Sequence, residues 1–457
     1  MSFPRFVSRN VSGWGLRPIE KCDVYRPEGL DPLREIVANA PQPNLIARGM
    51  GRSYGDASLN STGAVIATDR LDLMQAFDPE SGVLHCQAAV SLADIIEHFL
   101  PRGFFFPVTP GTKLISVGGA IAADVHGKNH HRSGSMSAWL KEFRLLRADG
   151  EILVCSREQN ADAFWATVGG MGLTGVILDA GLQLRPVETA YMSADYDHTS
   201  NLDSLLERMA ETEAHFDYAV AWIDCQSRGR SLGRGVLLCA NHATRDELPL
   251  HQRRTPFAQP SKLTIGLPFT LPNIALNLVS NRIFNEGYYR SHGPKRFFPH
   301  CNKYFYPLDA VRNWNRGYGP RGVLQYQAVL PEATAREGLI ELLELITSTR
   351  TLTFLPILKS LGPSSDGLLS FPLRGKTLAV DLPYTGPEVD KTVARMDAIV
   401  LRHGGRVYLA KDSRLPAESF AQMYPKLALF REIRDKLDPN QRFSSSQARR
   451  LQILGSP

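Results

Sequence analysis

Several common signatures are absent from this chain. The first thirty residues contain no apolar run, which argues against a secretory signal and favours a reducing, cytoplasmic setting. Basic residues are scattered rather than clustered, so nothing in the sequence indicates nucleic-acid binding. A disulfide scaffold and a zinc site are both disfavoured, because the six cysteines are widely spaced and form no CxxC pair, at positions 22, 86, 155, 225, 239 and 301.

The composition is that of a folded protein with a large core. The chain has 457 residues, of which 43% are hydrophobic and 21% charged, and 52 basic against 46 acidic side chains give a net charge of +6. These values exclude a disordered or fibrous chain, and the length corresponds to about two or three domains. Residues 263–281 carry no charge, but Gly266, Pro268 and Pro272 would break a membrane-spanning helix.

Up to about residue 190 the chain is rich in glycine and predicts short strands and turns. Ser91 and Asp94 predict a capped helix that runs to about Leu100. Apolar segments on either side of Asp149-Gly150 predict a hairpin, because glycine accepts the positive φ that such a turn needs. This part of the chain therefore predicts small sheets joined by tight turns.

Beyond residue 190 the predicted strands and helices are longer. Thr334 with Glu337 predicts a capping box at the start of an amphipathic helix. Residues 419–437 have a helical pattern that ends before Pro439. Strands and helices do not alternate regularly, so the fold class predicted is α+β with segregated layers.

Three glycine-rich loops precede residue 180. The first, Gly49-Met-Gly51-Arg-Ser-Tyr-Gly55, could present backbone amides to a pyrophosphate, but its spacing is neither a Rossmann fingerprint nor a P-loop. The second runs from Pro110-Gly111-Thr112 through residues 116–131, and the third spans Val168 to Gly175. The first loop alone is explained slightly better as a structural turn, but three such loops favour a bound phosphate or a flat ligand.

Longer strings identify a family. ARGMGRSYGD at 47–56, SVGGAIAADVHGKNHH at 116–131 and FWATVGGMGLTG at 164–175 resemble the vanillyl-alcohol-oxidase-type flavoproteins with a PCMH-type FAD-binding domain. The resemblance continues to AKDSR at 410–414 and covers nearly the whole chain. It implies a discontinuous FAD-binding domain at 1–190 and 406–457, with an antiparallel-sheet substrate domain inserted at 191–405.

The resemblance also implies which residues hold FAD. The first loop would wrap the pyrophosphate, the second would close over it, and residues 123–126 would line the path from adenosine to flavin. Many relatives attach FAD through a histidine at the position of Arg52, but a guanidinium stays protonated and cannot attack the flavin, so we expect non-covalent FAD. The implied cofactor-binding residues are Ala47, Arg48, Gly49, Met50, Gly51, Arg52, Ser53, Tyr54, Gly55, Asp56, Ala57, Gly111, Ser116, Val117, Gly118, Gly119, Ala123, Asp124, Val125, His126, Ile177 and Tyr408.

The implied reaction is oxidation of a secondary alcohol, with hydride transfer to FAD and removal of the hydroxyl proton by a base. By resemblance, Lys411 contacts either the reacting hydroxyl or the N1–C2 edge of the cofactor, and His126 and Tyr54 complete the catalytic group. Gln327 and Lys359, together with Lys411, are implied substrate contacts.

Without the resemblance, some of these residues would be interpreted differently. Lys411 alone would be interpreted as a surface lysine paired with Asp412. The residue types of His130 and His131 suit a metal, but zinc needs two further ligands and none is adjacent, so we predict no metal site.

Within the family, the chain is most similar to members that oxidise the 2′-hydroxyl of a polyprenylphosphoryl-β-D-ribose to a 2′-keto intermediate. That step is the first half of epimerisation to an arabinose donor for cell-envelope glycans. The implied partners are a short-chain dehydrogenase/reductase subunit and quinone or oxygen as electron acceptor.

The alternatives are an aldonolactone- or alditol-type oxidase of soluble carbohydrates and a non-enzymatic flavin- or phosphate-binding protein. The missing histidine and the HGKNHH string favour the lipid-linked substrate.

Two further features concern this substrate. Residues 263–281 would receive an isoprenoid tail or touch the inner membrane, and a partly ordered loop or core segment is an equally good interpretation. Mycobacterial relatives carry a cysteine near the flavin where this chain has Ala379, so catalysis here should not depend on a thiol at that position.

Overall fold

The computed structural model describes residues 3–259, 265–270 and 277–455. The strands, in chain order, are β1 (Val7–Ser12), β2 (Ile19–Tyr25), β3 (Leu45–Arg48), β4 (Ala64–Ala67), β5 (Met74–Asp78), β6 (Val83–Gln87), β7 (Phe104–Phe105), β8 (Leu140–Leu146), β9 (Ile152–Ser156), β10 (Val176–Gln183), β11 (Arg185–Pro186), β12 (Met192–Thr199), β13 (Tyr218–Ile223), β14 (Gly235–His242), β15 (Ile265–Gly266), β16 (Lys295–Phe297), β17 (Val311–Arg312), β18 (Val323–Pro331), β19 (Phe354–Leu361), β20 (Gly375–Pro383) and β21 (Arg406–Val407). The α-helices are α1 (Leu30–Asn39), α2 (Leu92–Phe99), α3 (Val117–Ala122), α4 (His130–Ser133), α5 (Ala161–Thr167), α6 (Leu202–Glu213), α7 (Leu250–Arg253), α8 (Leu278–Ser291), α9 (Cys301–Phe305), α10 (Ala335–Ser348), α11 (Pro387–Arg402), α12 (Ala417–Met423), α13 (Leu427–Leu437) and α14 (Ser446–Arg450).

The first sheet has the strand order β1-β2-β4-β3, in which β2, β4 and β3 are parallel and β1 is antiparallel to β2. Helix α1 covers it and buries Leu33, Ile36 and Val37, which recur at helical spacing. A second, antiparallel sheet has the order β5-β6-β10-β8-β9. The first glycine loop leaves the first sheet directly after β3.

The C-terminal segment returns to the first sheet. Phe443 bridges Leu45 on β3 and lies in the same buried cluster. The Arg442 guanidinium donates to the carbonyls of Val37 (2.9 Å) and Ala40 (2.9 Å) at the end of α1, where helix geometry leaves carbonyls without partners. The two ends of the chain therefore pack together around the start of the first glycine loop.

The large antiparallel sheet has the order β16-β12-β14-β13-β19-β20-β18-β21. Helices α6, α10 and α11 pack on it. Many of its buried residues belong to the same apolar cluster as much of the second sheet, so the core is continuous between these layers. The layers confirm the predicted α+β fold of the PCMH type with an antiparallel substrate sheet.

Local predictions had mixed outcomes. The hairpin at Asp149-Gly150 and the capping box of Ser91 are confirmed. The capping box at Thr334 is wrong, because its hydroxyl donates to the carbonyl of His403 (2.7 Å) instead. The helix predicted over 419–437 is two helices, α12 and α13, separated around Pro425.

The apolar segment 263–281 lies partly outside the described residues. Its described parts are residues 265–270, which include β15, and residues 277–281, which begin α8. Among the helices that the structure describes, none has the length and apolar character to cross a bilayer.

Candidate active site

A cavity of about 940 Å³ lies where the glycine loops meet the large sheet. It brings together residues from the first and second loops, from strands β18 and β19, and from the segment after β21. The predicted site residues that line it are Ala47, Gly49, Met50, Gly51, Arg52, Ser53, Tyr54, Ala57, Gly111, Ser116, Gly118, Gly119, Ala123, Val125, His126, Ile177, Gln327, Lys359, Tyr408 and Lys411.

The remaining predicted cofactor residues have structural contacts away from the cavity. Arg48 donates to the Ser12 carbonyl (2.7 Å) and the Ser58 hydroxyl (2.9 Å), and Asp56 accepts from Arg450 (2.8 Å). Such contacts fix the loops, and these residues do not line the cavity. The residues in this group are Arg48, Gly55, Asp56, Val117 and Asp124.

The first glycine loop presents a run of unpartnered donors. The backbone amides of residues 49–53 donate to no acceptor within the described part of the chain. Gly49 permits a close approach of the loop to the start of α3, because a Cβ there would lie 2.2 Å from the Ser116 hydroxyl oxygen. Gly51 has a φ of +63°, which turns successive amides toward one concave surface. This cradle fits a pyrophosphate, and so the residues fit FAD.

Arg52 is held at the edge of this cradle. Its Nε donates to the Leu114 carbonyl (3.0 Å), and its guanidinium carbon lies 4.0 Å from the Trp14 ring centroid. Burial lowers the pKa of Arg52 and the charge of Asp309 opposes that shift, but a guanidinium remains a cation. Arg52 therefore supplies positive charge beside the amides and no nucleophile.

Tyr408 connects the C-terminal segment to the second loop. Its hydroxyl donates to the Ala123 carbonyl (2.9 Å), and its ring stacks on Phe371 with centroids 4.7 Å apart. The His126 ring lies 5.3 Å from the Tyr408 ring. These contacts place the segment that carries Lys411 against the second loop.

Lys411 lies at a polar end of the cavity beside a buried carboxylate. Its Nζ is 4.3 Å from the Tyr54 ring centroid. The Gln325 amide donates both to the Tyr54 hydroxyl (3.1 Å) and to Asp381 (2.5 Å), which also accepts from Tyr318 (2.7 Å). Burial raises the pKa of Asp381 to about 6, although the charge of Lys411 and both hydrogen bonds lower it. The expectation that Lys411 pairs with Asp412 does not hold, because Asp412 pairs with Arg450 instead.

Three half-buried lysines line the cavity. Burial lowers the pKa of Lys411 to about 8, of Lys359 to about 8 and of Lys128 to about 7. The Lys128 Nζ donates to the Tyr304 carbonyl (2.6 Å) and lies 4.3 Å from that ring. Within the described residues, neither Lys128 nor Lys359 forms an ion pair with a carboxylate. The cavity therefore carries positive charge that the protein does not neutralise.

His126 lines the cavity and contacts Gln327 of the large sheet. Its Nε2 lies 2.9 Å from the Gln327 amide nitrogen, and that nitrogen also reaches the Thr377 hydroxyl (3.3 Å). Burial, and then the charge of Lys359, lower the pKa of His126 well below 6.5, so the ring is neutral. Because Nε2 accepts from Gln327, Nδ1 carries the proton, and this buried atom has no partner within the described residues.

The neighbouring histidines are engaged elsewhere. His130 Nδ1 accepts from the Gly362 amide (2.9 Å), and His131 Nε2 lies 3.2 Å from the Phe216 carbonyl. Within the ranges that the structure describes, no group of three or more His, Cys, Asp or Glu residues is arranged to hold a metal ion.

A wide apolar arm extends from the polar end of the cavity. In this arm the Trp222 and Tyr288 ring centroids are 4.8 Å apart, and Phe284 lies 6.1 Å from Tyr288. Ala379 lines the cavity as well. The residues of the apolar arm are Val220, Trp222, Leu238, Phe284, Tyr288, Phe297 and Pro299.

The sequence did not identify Lys128, Asp381 or most of the apolar arm as site residues. A signal existed for Asp381, which is a lone carboxylate in the apolar strand β20. Lys128 lies within the HGKNHH string, but nothing local distinguishes a buried lysine from an exposed one. The apolar arm combines strands β13 and β14 with helix α8, a juxtaposition that only the tertiary structure reveals.

Comparisons with known proteins agree with this geometry. The sequence model of an FAD binding domain matches residues 24–156, and that of D-arabinono-1,4-lactone oxidase matches residues 326–451. The chain is 37% identical to a decaprenylphosphoryl-β-D-ribose oxidase of Mycolicibacterium smegmatis, over 99% of each chain. An uncharacterized protein of Streptomyces coelicolor is 36% identical over 79% of this chain and its own full length. L-gulonolactone oxidase of Mus musculus is 24% identical over 92% of this chain and 93% of its own.

Replacing Gly49 with alanine tests the pyrophosphate cradle. The new Cβ would displace the Ser116 hydroxyl, which caps α3 by accepting from the Gly119 amide. Loss of a cap costs about 1 kcal/mol, and with the displaced loop we expect FAD to bind on the order of tenfold more weakly. Fluorescence titration of the apoprotein with FAD measures the effect. Gly287→Ala, where a Cβ meets no atom within 4 Å, is the control, and an unchanged FAD affinity for Gly49→Ala would contradict the assignment.

Precipitation with acid tests whether the cofactor is attached. Because Arg52 occupies the position of the attaching histidine in many relatives, we expect the yellow colour to remain in the supernatant when the purified protein is denatured. A yellow pellet would show a covalent bond. Absorbance of both fractions is the measurement.

Proposed function

The chain belongs to the decaprenylphosphoryl-β-D-ribose oxidase family of FAD-binding oxidoreductases, and from this membership we propose that it oxidises the 2′-hydroxyl of a polyprenylphosphoryl-β-D-ribose. The product is the 2′-keto sugar. The observation that carries the substrate assignment is a pair of lysines, Lys128 and Lys359, that line a cavity with an apolar arm and have no carboxylate partner within the described residues. A lipid-linked sugar phosphate matches both features, since it joins an anion to an apolar tail.

FAD, when bound, accepts the hydride from the sugar carbon. We assign its pyrophosphate to the backbone amides of residues 49–53, which are donors without a protein acceptor. Arg52 would lie beside the pyrophosphate and supply positive charge. Tyr408 and Ala123 hold the second loop against the C-terminal segment. The cofactor-lining residues thus come from segments far apart in the sequence.

We assign the reacting hydroxyl to the group formed by Lys411, Tyr54 and His126. Lys411 donates as an ammonium below its pKa of about 8 and stabilises negative charge that develops nearby. His126 lines the cavity beside this group, and its contact with Gln327 fixes the ring in place. Asp381, whose pKa burial raises to about 6, is the carboxylate near Lys411 that would accept the hydroxyl proton.

We assign the substrate phosphate to Lys359 and Lys128. Burial of an ammonium group without a counter-charge is costly, so an anionic ligand restores the balance that the protein lacks. The Tyr304 carbonyl holds the Lys128 Nζ in place. A soluble aldonolactone carries neither the phosphate nor the tail, and it would leave both the lysines and the apolar arm unmatched.

Oxidation alone yields a ketone, so epimerisation needs a second enzyme. A partner of the short-chain dehydrogenase/reductase class would reduce the 2′-keto group from the other face, giving the arabinose epimer for cell-envelope glycans. The two electrons taken from the sugar must pass to a quinone or to oxygen. Because the substrate carries a polyprenyl tail, the reaction takes place where that lipid lies, at the cytoplasmic face of the inner membrane.

We also propose the division of the chain that this chemistry requires. The FAD-binding domain would comprise residues 1–190 and 406–457, and the substrate domain residues 191–405. The packing of Arg442 and Phe443 on the first sheet supports the return of the C-terminal segment. The strand order of the large sheet, which falls mostly within 191–405, supports the inserted domain.

Replacing Lys411 with alanine tests the catalytic assignment. We expect the variant to keep its FAD spectrum and to lose turnover of polyprenylphosphoryl ribose by about 100-fold or more, because a positioned ammonium would no longer act on the transition state. Steady-state turnover and the visible spectrum are measured together. Lys426→Ala, an exposed lysine on the same C-terminal segment, is the control. Unchanged turnover in Lys411→Ala would remove the role given to Lys411.

A further inference from the structure

One carboxylate attaches the second glycine loop to a distant segment of the chain. Asp309 lies in the short turn Pro307–Ala310, which follows α9. Its Oδ1 accepts from the Thr112 hydroxyl (2.7 Å), and its Oδ2 accepts from the Lys113 backbone amide (2.9 Å). Both carboxylate oxygens therefore hold the loop, one through a side chain and the other through the backbone.

The contact reaches the first glycine loop through a chain of hydrogen bonds. The Thr112 hydroxyl, which donates to Asp309, also accepts from the Leu114 amide (3.1 Å) and so fixes the turn between them. The Leu114 carbonyl accepts from the Arg52 Nε (3.0 Å). Arg52 lies beside the backbone amides of residues 49–53, which have no acceptor within the described part of the chain. The position of Arg52 at the cradle therefore depends on the turn that Asp309 holds.

The segment that carries Asp309 is anchored in the core. In α9 the Phe305 side chain is buried, and its ring stacks on Phe105 with centroids 5.6 Å apart. A second hydrogen bond joins the same elements, because the Lys113 Nζ donates to the side-chain oxygen of Asn302 in α9 (2.9 Å). The loop is thus attached at two points to a segment that tertiary packing holds in place.

Asp309 is placed to hold the loop and not to bind a ligand itself. It lines the cavity together with Thr112 and Leu114. Burial raises the pKa of Asp309, but the two hydrogen bonds from the loop lower it, as do the charges of Lys113 and Arg52. A carboxylate repels a pyrophosphate and has no proton to donate to it. Because donors of the loop satisfy both oxygens, Asp309 would act on the cofactor only through the loop.

We propose that Asp309 is a positioning residue for FAD. It holds residues 110–114 against the first loop and keeps Arg52 beside the pyrophosphate of the cofactor. The proposal rests on the FAD site of the proposed function and not on the sugar substrate. Asp309 lies within the proposed substrate domain, so a residue of that domain would control how tightly the FAD-binding domain holds its cofactor.

The FAD affinity of an Asp309→Ala variant tests this inference. The variant loses both hydrogen bonds to the loop, and we expect FAD to bind on the order of tenfold more weakly and to dissociate faster. Fluorescence titration of the apoprotein measures the affinity, and the rise of flavin fluorescence after dilution measures dissociation. The control is Asp246→Ala, which removes a carboxylate side chain that is 99% exposed and should bind FAD as the wild type does.

Two further variants distinguish positioning by this contact from a general structural effect. Asp309→Asn keeps one acceptor oxygen, so its FAD affinity should lie between those of the wild type and Asp309→Ala. Thr112→Val removes the hydroxyl at the other end of the contact with little change of shape. Because Asp309→Ala and Thr112→Val break the same contact, their effects on FAD affinity should not multiply in the double variant.

Three results would overturn the proposal: unchanged FAD affinity in Asp309→Ala, an equal loss in Asp246→Ala, or multiplied effects in the double variant. If Asp309→Ala does not fold, Thr112→Val tests the same contact, and unchanged FAD affinity there would also overturn it. Wild-type protein that takes up no FAD would overturn the proposed function and this inference together. Wild-type FAD uptake with unchanged variants would overturn the inference alone, so the two failures are distinguishable.

Discussion

Unneutralised positive charge inside a largely apolar cavity is the constraint on which the site depends. Lys128 and Lys359 have no carboxylate partner within the described residues, and five consecutive amides of the first loop have no acceptor there. Such groups are costly to bury unless a ligand completes them. Two anionic groups, a dinucleotide pyrophosphate and a sugar phosphate, would complete both sets, and this requirement links the FAD site to the substrate site.

The fold meets that constraint by bringing distant segments to one place. The Tyr54 amide donates to the Ala410 carbonyl (3.0 Å), which joins the first loop to the segment that carries Lys411. Gln327 from the large sheet contacts His126 from the second loop (2.9 Å). A shift of any one segment would therefore disturb cofactor, substrate and catalytic contacts together. At the polar end of the cavity, side chains from different segments are therefore hydrogen-bonded in pairs, such as Gln327 with His126 and Gln325 with Tyr54.

The sequence predicted the loops better than the contacts between them. The two glycines of the first loop have local causes that the structure shows. Gly49 allows the loop to approach Ser116 closely, and Gly51 has a positive φ. The role of Thr334 was missed because the His403 carbonyl, distant in sequence, competes for its hydroxyl. The position of Lys128 in the cavity wall arises from tertiary packing, which local pattern does not encode. Family resemblance supplied the role proposed for Lys411, since a pattern-based interpretation placed this residue at the surface.

The central claim is that this cavity passes two electrons from a lipid-linked ribose phosphate to bound FAD. Anaerobic mixing tests it most directly, with the visible absorbance of the bound cofactor followed after addition of polyprenylphosphoryl-β-D-ribose, free ribose or L-gulonolactone. The account predicts rapid bleaching by the lipid-linked sugar and little by the other two. Bleaching by the lactone or free ribose with none by the lipid-linked sugar would contradict it.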